Sequence, residues 1–395
     1  MEARRKALET CVYCPKLCRS ACPVSNAEPR ETLTPWGKMS TAYFASNGDV
    51  SVDPSFAAPA WACTGCRACR EACDHKNDVA GTLYAARSAF VAENVAPAAA
   101  MRVLEGWDEH RRQTRASVDA LARPSNASAK HAFLAGCTYT RKLAAESRDA
   151  LRVVRALHGE PRLVDECCGL PLLLAGDAER FRAHARSFAE RFDGDAITVL
   201  DPGCAMTLRV HYAEHGVALS AKVGVLVEEL AARVTELDAG AGGDPELGPV
   251  RYHDPCQLGR GLGIYDAPRA VLTRLGGAAA RVPRARAAGG LLGRRRIAAA
   301  DLAGRGPRDR PAPPRRAHRR GRRDAGHGVR LERAVVPQAR REDDGPHVPR
   351  GARAASQLVP SGVQRLAQVP LLRYARRSAG LLRGVAAKGA ETKNA

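Results

Sequence analysis

Cys11-Val-Tyr-Cys14-Pro-Lys-Leu-Cys18-Arg-Ser-Ala-Cys22-Pro23 and, 40 residues later, Cys63-Thr-Gly-Cys66-Arg-Ala-Cys69-Arg-Glu-Ala-Cys73 hold eight of the 13 cysteines in this 395-residue chain. Thiolates at gaps of two or three residues can grip three corners of a cubane and send the fourth ligand to a neighbouring cluster. Two such tracks predict two [4Fe–4S] clusters within electron-exchange distance. With the last Cys of each track crossing over, Cys11, Cys14, Cys18 and Cys73 would hold one cubane. Cys63, Cys66, Cys69 and Cys22 would hold the other. The rival reading is a pair of zinc sites, but zinc pairs come as two widely separated Cys-x2-Cys units. One departure is the three-residue gap between Cys14 and Cys18, where two is usual.

Residues 83–122 are Ala-rich, with Leu83, Ala86, Phe90 and Val91 at helical spacing, and predict helix. Pro124-Ser-Asn126 reads as a linker. Beyond it the pattern changes. Strands are expected at 131–136, 162–165 and 196–200, and helices at 142–157 and 181–192. Each strand runs into cysteine: Cys137, then the adjacent pair Cys167-Cys168, then Cys204. Open parallel sheets place their ligand sites at that carboxyl edge. Adjacent cysteines bond poorly to each other, because the disulfide would be strained. Two neighbouring thiolates can instead bridge metals, so an additional Fe–S cluster or a zinc ion is expected at these four residues. Val250-Arg-Tyr-His-Asp-Pro-Cys256, with a helix at 267–275, begins a second strand–Cys unit.

The unit does not finish. Residues 281–395 contain 26 Arg, 2 Lys and only 8 acidic residues, with no Cys, Trp or Phe. This segment therefore carries the whole net charge of +20, and the first 280 residues are neutral overall. A stretch such as 315–323 cannot bury a core. Residues 286–395 are expected to be disordered, or an out-of-frame translation of a G/C-rich gene. Translating the DNA in its other two frames past codon 285 tests the second idea. A genuine basic tail for nucleic acid is disfavoured by the scarcity of aromatic residues for stacking on bases.

The order Gly-Cys137, Cys167-Cys-Gly-Leu-Pro, Asp201-Pro-Gly-Cys204 and His253-Asp-Pro-Cys256-Gln-Leu-Gly-Arg260, downstream of an eight-Cys module, resembles the heterodisulfide-reductase-related iron–sulfur proteins. That family includes the iron–sulfur subunits of glycolate oxidase and of anaerobic glycerol-3-phosphate dehydrogenase. The resemblance covers about residues 8–285. It implies an α-helical dicluster ferredoxin domain (1–125), a first α/β cysteine-rich CCG domain (126–240) and the start of a second CCG repeat (249–285). It also implies electron transfer from a flavin-containing dehydrogenase or oxidase subunit toward a quinone or another membrane acceptor. Carried over onto this sequence, the first repeat supplies Cys137, Cys167, Cys168 and Cys204, and the second supplies only Cys256. The family often closes the first repeat with Cys-x2-Cys, where this chain has Thr207.

Several features carry no further function. Gly259-Arg-Gly-Leu-Gly263 follows a cysteine rather than a dinucleotide-binding strand and turn. No flavin or nucleotide site is expected, nor specific nucleic-acid binding. His75 reads as solvated, and His253 with Asp254 as turn residues. The charged start of the chain shows no secretion signal, and no apolar run approaches the roughly 20 residues that span a bilayer. The expected location is the cytoplasm, peripheral to the inner face of the membrane through partners. Turnover by this chain alone is not expected. The competing hypothesis is a disulfide or thiol reductase with its catalytic cluster at the CCG site, and a third is a redox sensor with labile clusters.

Overall fold

A computed structural model describes residues 1–122, 128–237, 250–275 and 279–281, all in one unit of the fold. The Arg-rich segment, the expected loss of reading frame and the linkers near 124 and 240 lie outside the described residues.

The N-terminal part is helical: α1 Arg5–Val12, α2 Pro23–Ala27, α3 Pro35–Asn47, α4 Pro54–Trp61, α5 Ala68–Glu71, α6 Val79–Ala92, α7 Ala98–Glu105 and α8 Trp107–Asp119. The single helical stretch expected over 83–122 is thus three helices. Pro97 starts α7, and Gly106 separates α7 from α8. Caps explain the sharp starts. The Thr34 hydroxyl accepts from the Gly37 N–H, Asp53 caps α4 and Asp78 caps α6. Proline stands at the first helical position of α2, α3 and α4, where its missing N–H costs nothing. Leu8, Met39, Trp61, Leu83 and Phe90 meet in the core of this bundle.

The second part is α/β, as expected. Strands β1 His131–Leu134, β2 Arg162–Leu163, β3 Ala196–Val199 and β4 Lys222–Val225 form one parallel sheet in the order β2-β1-β3-β4. Register runs Ala132 to Arg162 on one side of β1 and Ala132 to Ile197 on the other. The connecting helices are α9 Cys137–Lys142, α10 Ala144–His158, α11 Leu170–Ala175, α12 Ala178–Arg191, α13 Pro202–Met206, α14 Tyr212–Glu214 and α15 Leu226–Ala232. Alternate strand residues face opposite layers. Ala132, Leu134, Ile197 and Val199 pack with α11 and α12, while Phe133, Leu163 and Leu200 pack with α10.

The strand order reverses at β1, which puts the switch point of the sheet between the carboxyl ends of β1 and β3. The third expected strand is present. The fourth, β4, is additional. The second expected unit also folds: β5 Val250–Tyr252 runs parallel to β6 Ala279–Arg281, with α16 Asp266–Arg274 between them. Asp254 of this unit is buried and makes a two-toothed ion pair with Arg269 at 2.7 and 2.8 Å.

A further buried cluster is shared by the two parts. Ala80, Tyr84, Leu104 and Trp107 from the helical part are buried with Leu172, Phe181, Phe188 and Tyr212 from the α/β part. Trp61 Nε1 donates to the Ala175 carbonyl at 3.1 Å. No helix among the described residues is long and apolar enough to cross a membrane.

Candidate metal centres

The first group forms around the amino-terminal track. Cys11, Cys14, Cys18 and Cys73 line one cavity, together with Cys69, Trp36, His75 and Asn77. The Asn77 amide donates to Cys11 Sγ at 3.1 Å, and Lys16 lies 3.7 Å from the centroid of the Trp36 ring. Burial, helped by the neighbouring Cys18, Cys73 and Cys14, pushes the Cys11 thiol up to about 12. Burial and the thiols of Cys73 and Cys14 push Cys18 up to about 11. Four thiols lining one cavity, with Cys11 and Cys18 resisting ionisation, suit a multivalent metal centre, which deprotonates coordinating thiols outright. His75, expected to be solvated, is exposed but borders this cavity.

The second group joins the other track to Cys22. Cys69 is pushed well up by burial, and next by the nearby thiols of Cys63, Cys66, Cys18 and Cys22. Burial likewise raises Cys63 and Cys66. Cys22 departs from the rest. Burial works against its ionisation, but the Lys38 charge and the Ser25 backbone and hydroxyl outweigh it, and the thiol sits below its ordinary value. Lys38 Nζ lies 3.6 Å from Cys22 Sγ, and Lys38 is only 2% exposed. A Cβ on Gly37 would meet the Glu31 carbonyl at 2.1 Å. Glycine there lets α3 press against that backbone and hold Lys38 inward.

The third group stands at the sheet switch point. Cys137 opens α9 after β1, Cys167 and Cys168 follow β2, and Cys204 lies in α13 after β3. The four expected thiols are thus together. Cys137 is held down at about 5 by a hydrogen bond from Cys167, with burial opposing and His110 assisting. Cys168 is held well down by hydrogen bonds from Cys167 and Cys204, and those two partners are pushed up in turn. Thr207, at the position of the missing family cysteine, donates to the Gly203 carbonyl at 2.7 Å and also favours the Cys168 thiolate.

The loop that carries the Cys pair is tied to α8. Arg111 grips Glu166 with two hydrogen bonds at 3.0 and 2.8 Å, and Arg115 reaches Asp165 at 3.1 Å. His184 Nε2 donates to the Cys167 carbonyl at 2.7 Å. His110, which the spacing of cysteines could not reveal, comes from α8. Its Nε2 lies 3.4 Å from Cys167 Sγ, and the ring stacks on Trp107. That nitrogen and the sulfurs of Cys137 and Cys167 all lie within 4.8 Å of one another. Arg141 can only donate, so at 3.3 Å it makes His110 Nδ1 an acceptor. The proton of the neutral ring is then on Nε2, facing Cys167.

Cys256 stands near Cys66 of the second group. Its charge acts on Cys66, and Arg260, four residues on, donates to the Cys66 carbonyl at 2.6 Å. The truncated repeat therefore packs against the second thiol group.

Two family models match the chain: a 4Fe–4S dicluster domain over residues 7–77 and a cysteine-rich domain over residues 131–209. This is an iron–sulfur protein. Its dicluster domain and CCG domain come in the order that the motifs implied. Among curated proteins it is similar to one of the subunits of the fumarate reductase (CoM/CoB) of Methanothermobacter marburgensis, 27% identical over 285 residues, covering 69% of this chain and 56% of that one. An uncharacterized iron–sulfur protein of Methanocaldococcus jannaschii is 29% identical over 147 residues, 36% of this chain and 28% of that one. One of the subunits of the dihydromethanophenazine:CoB–CoM heterodisulfide reductase of Methanosarcina barkeri is 24% identical over 303 residues, 68% of this chain and 73% of that one. The chain thus spans about half or less of the length of the first two of these relatives. No solved structure matches.

Proposed function

We propose that this chain is the iron–sulfur electron-transfer subunit of a flavin-linked oxidoreductase of the 2-hydroxy-acid or glycerol-phosphate dehydrogenase type, delivering electrons to a quinone or another acceptor. Two [4Fe–4S] clusters, one at Cys11, Cys14, Cys18 and Cys73 and one at Cys63, Cys66, Cys69 and Cys22, supply the one-electron chemistry when bound. The observation that carries this reading is the physical continuity between the second thiol group and the CCG domain. Arg87 donates to the carbonyl of Cys63 at 2.5 Å and to that of Leu174 at 2.9 Å, and Leu174 belongs to the helix that leaves the Cys pair. The chain's residues bury the second site more deeply than the first and fix it against the third. Hydride chemistry belongs to a flavin-carrying partner, and any attachment to a membrane also runs through partners.

The test is anaerobic purification followed by iron, sulfide and zinc analysis and low-temperature EPR after dithionite reduction. About eight iron and eight sulfide per chain, with two interacting signals, are expected from two cubanes. A folded chain that carries only zinc, or no iron, would end the proposal.

A second reading, reduction of a disulfide or thiol substrate at the CCG site, is favoured by one observation. The His110 Nε2 proton faces Cys167 beside a thiol of low proton affinity. Iron well above eight per chain together with turnover of a disulfide would establish it. Iron at eight with no turnover removes it.

A further inference from the structure

Three buried cations touch atoms of cysteines in the second thiol group, and among the described residues no buried Lys or Arg side chain touches a cysteine of the first. Lys38 Nζ stands 3.6 Å from Cys22 Sγ. Arg87, fully buried, places Nη2 2.5 Å from the Cys63 carbonyl. Arg260, 6% exposed, places Nε 2.6 Å from the Cys66 carbonyl. Three of the four cysteines of this group thus have a cation on their own atoms. Among the described residues neither Lys38 nor Arg87 has a carboxylate partner. The hydrogen bonds of Arg87 go to the Ala60, Cys63 and Leu174 carbonyls.

A buried charge without a counterion is costly, and such charges are normally paired. The missing counter-charge matches what an iron–sulfur cluster held by four thiolates would carry.

The first group is built differently. Its direct partner is the neutral Asn77 amide. Lys16, which lines the same cavity, pairs with Glu31 at 3.3 Å, is partly exposed, and covers Trp36. A cation close to a cluster favours the reduced state, which is one charge more negative, and does so most strongly where water is excluded. Charge and solvent exposure are among the protein's levers on cluster potential.

We infer that Lys38, Arg87 and Arg260 make the second site the electron-holding member of the pair, at a higher potential than the first, and so set the direction of flow toward the CCG domain. One electron added to the pair leaves the first site oxidised and the second reduced. No bond is made or broken, and no proton has to move. The three residues act as positioning charges through the cysteines they touch. The inference rests on the proposal that both sites hold [4Fe–4S] clusters.

The test is an EPR-monitored redox titration of the full chain, purified anaerobically, with iron content measured in parallel. Cys14→Ser alters only the first signal and so assigns the two. The second site should be reduced first in the wild type. Lys38→Met should shift the electron away from the second site at least tenfold, about 59 mV for a one-electron couple, with iron content unchanged. Lys38→Arg should restore most of the shift, and Lys16→Met should leave the second site where it was.

Full iron with the second potential unmoved in Lys38→Met overturns the inference, as does a wild type whose first site is reduced first. Should Lys38→Met bind no iron, Arg260→Met decides the matter, and an unmoved potential there overturns it equally. A wild type without iron sinks the electron-carrier proposal itself, and that result is distinct from either of these.

Discussion

Gly136 shows how closely a single residue is fitted to the CCG site. Its φ of +92° lies in the region that L-residues avoid, and a Cβ there would meet Asp201 Cβ at 2.8 Å and Cys204 Sγ at 3.2 Å. Gly136→Ala combines backbone strain with a clash against one of the four thiols. A loss of about 1–3 kcal/mol in unfolding free energy is expected, read from urea denaturation. A change within a few tenths of a kcal/mol would mean that the β1–α9 turn can adjust freely. Glu166 offers a second residue-scale test. It sits below its ordinary carboxylate value, because the Arg111 pair outweighs burial. Its contribution is therefore present above about pH 4.5, the ordinary value, and lost as pH falls through the lower folded one. Wild type should lose stability faster than Glu166→Gln as acid is added, and parallel curves would contradict this.

Among the elements, α6 and β1 carry the clearest expectations. Arg87 on α6 satisfies three carbonyls from two segments. Arg87→Met would strand them, each at about 1–3 kcal/mol, so a combined loss of roughly 3 kcal/mol or more is expected in denaturant titration. On β1, His131 stacks on His158 at 4.0 Å and is held below its ordinary value of 6.5 by burial and then by the His158 charge. His215 and His253 are lowered by burial too. The unfolded chain takes up these protons first, so stability present above about pH 6.5 drains away as pH falls. The urea midpoint should be lower at pH 5.5 than at pH 7.5, and His131→Gln should recover part of the fall. A midpoint that rises on acidification would refute the sign.

These elements also mark how far the sequence could be read. Strands β1 and β3 were legible because short apolar runs ended at cysteines. Strand β4 was not, since Lys222-Val-Gly-Val225 is brief and begins with an exposed charge. The eight-Cys tracks and the CCG pair were legible through spacing. Lys38, Arg87 and His110 were not, because charged and aromatic-polar side chains in helices ordinarily face water. Their burial depends on carbonyls and sulfurs supplied from remote segments, which no local pattern encodes. Cys256 was placed with the CCG repeat by motif, while its spatial neighbour is Cys66, an outcome set by how the second unit packs.

At the scale of the whole molecule, the helical and α/β parts bury Tyr84, Trp107, Phe181 and Tyr212 in one cluster. Each part also has a cluster of its own, but this shared one couples them. Unfolding should therefore be a single transition, with Trp fluorescence and far-ultraviolet circular dichroism coinciding. Two separated steps would show that the shared cluster contributes little.

The trio of Lys38, Arg87 and Arg260 has one more consequence, for biogenesis. Arg87 and Arg260 reach the second thiol group from α6 and from the truncated repeat, so closing the fold drives three positive groups into one dry space. A chain still waiting for its inorganic cargo lacks the anionic counterpart that Lys38 and Arg87 would meet there, and so should stay ajar. Loading of the amino-terminal half would then act as the licence for the rest to dock. Apoprotein made in iron-starved cells should be cut by trace protease near the interdomain seam, and chains matured in iron-replete cells should resist.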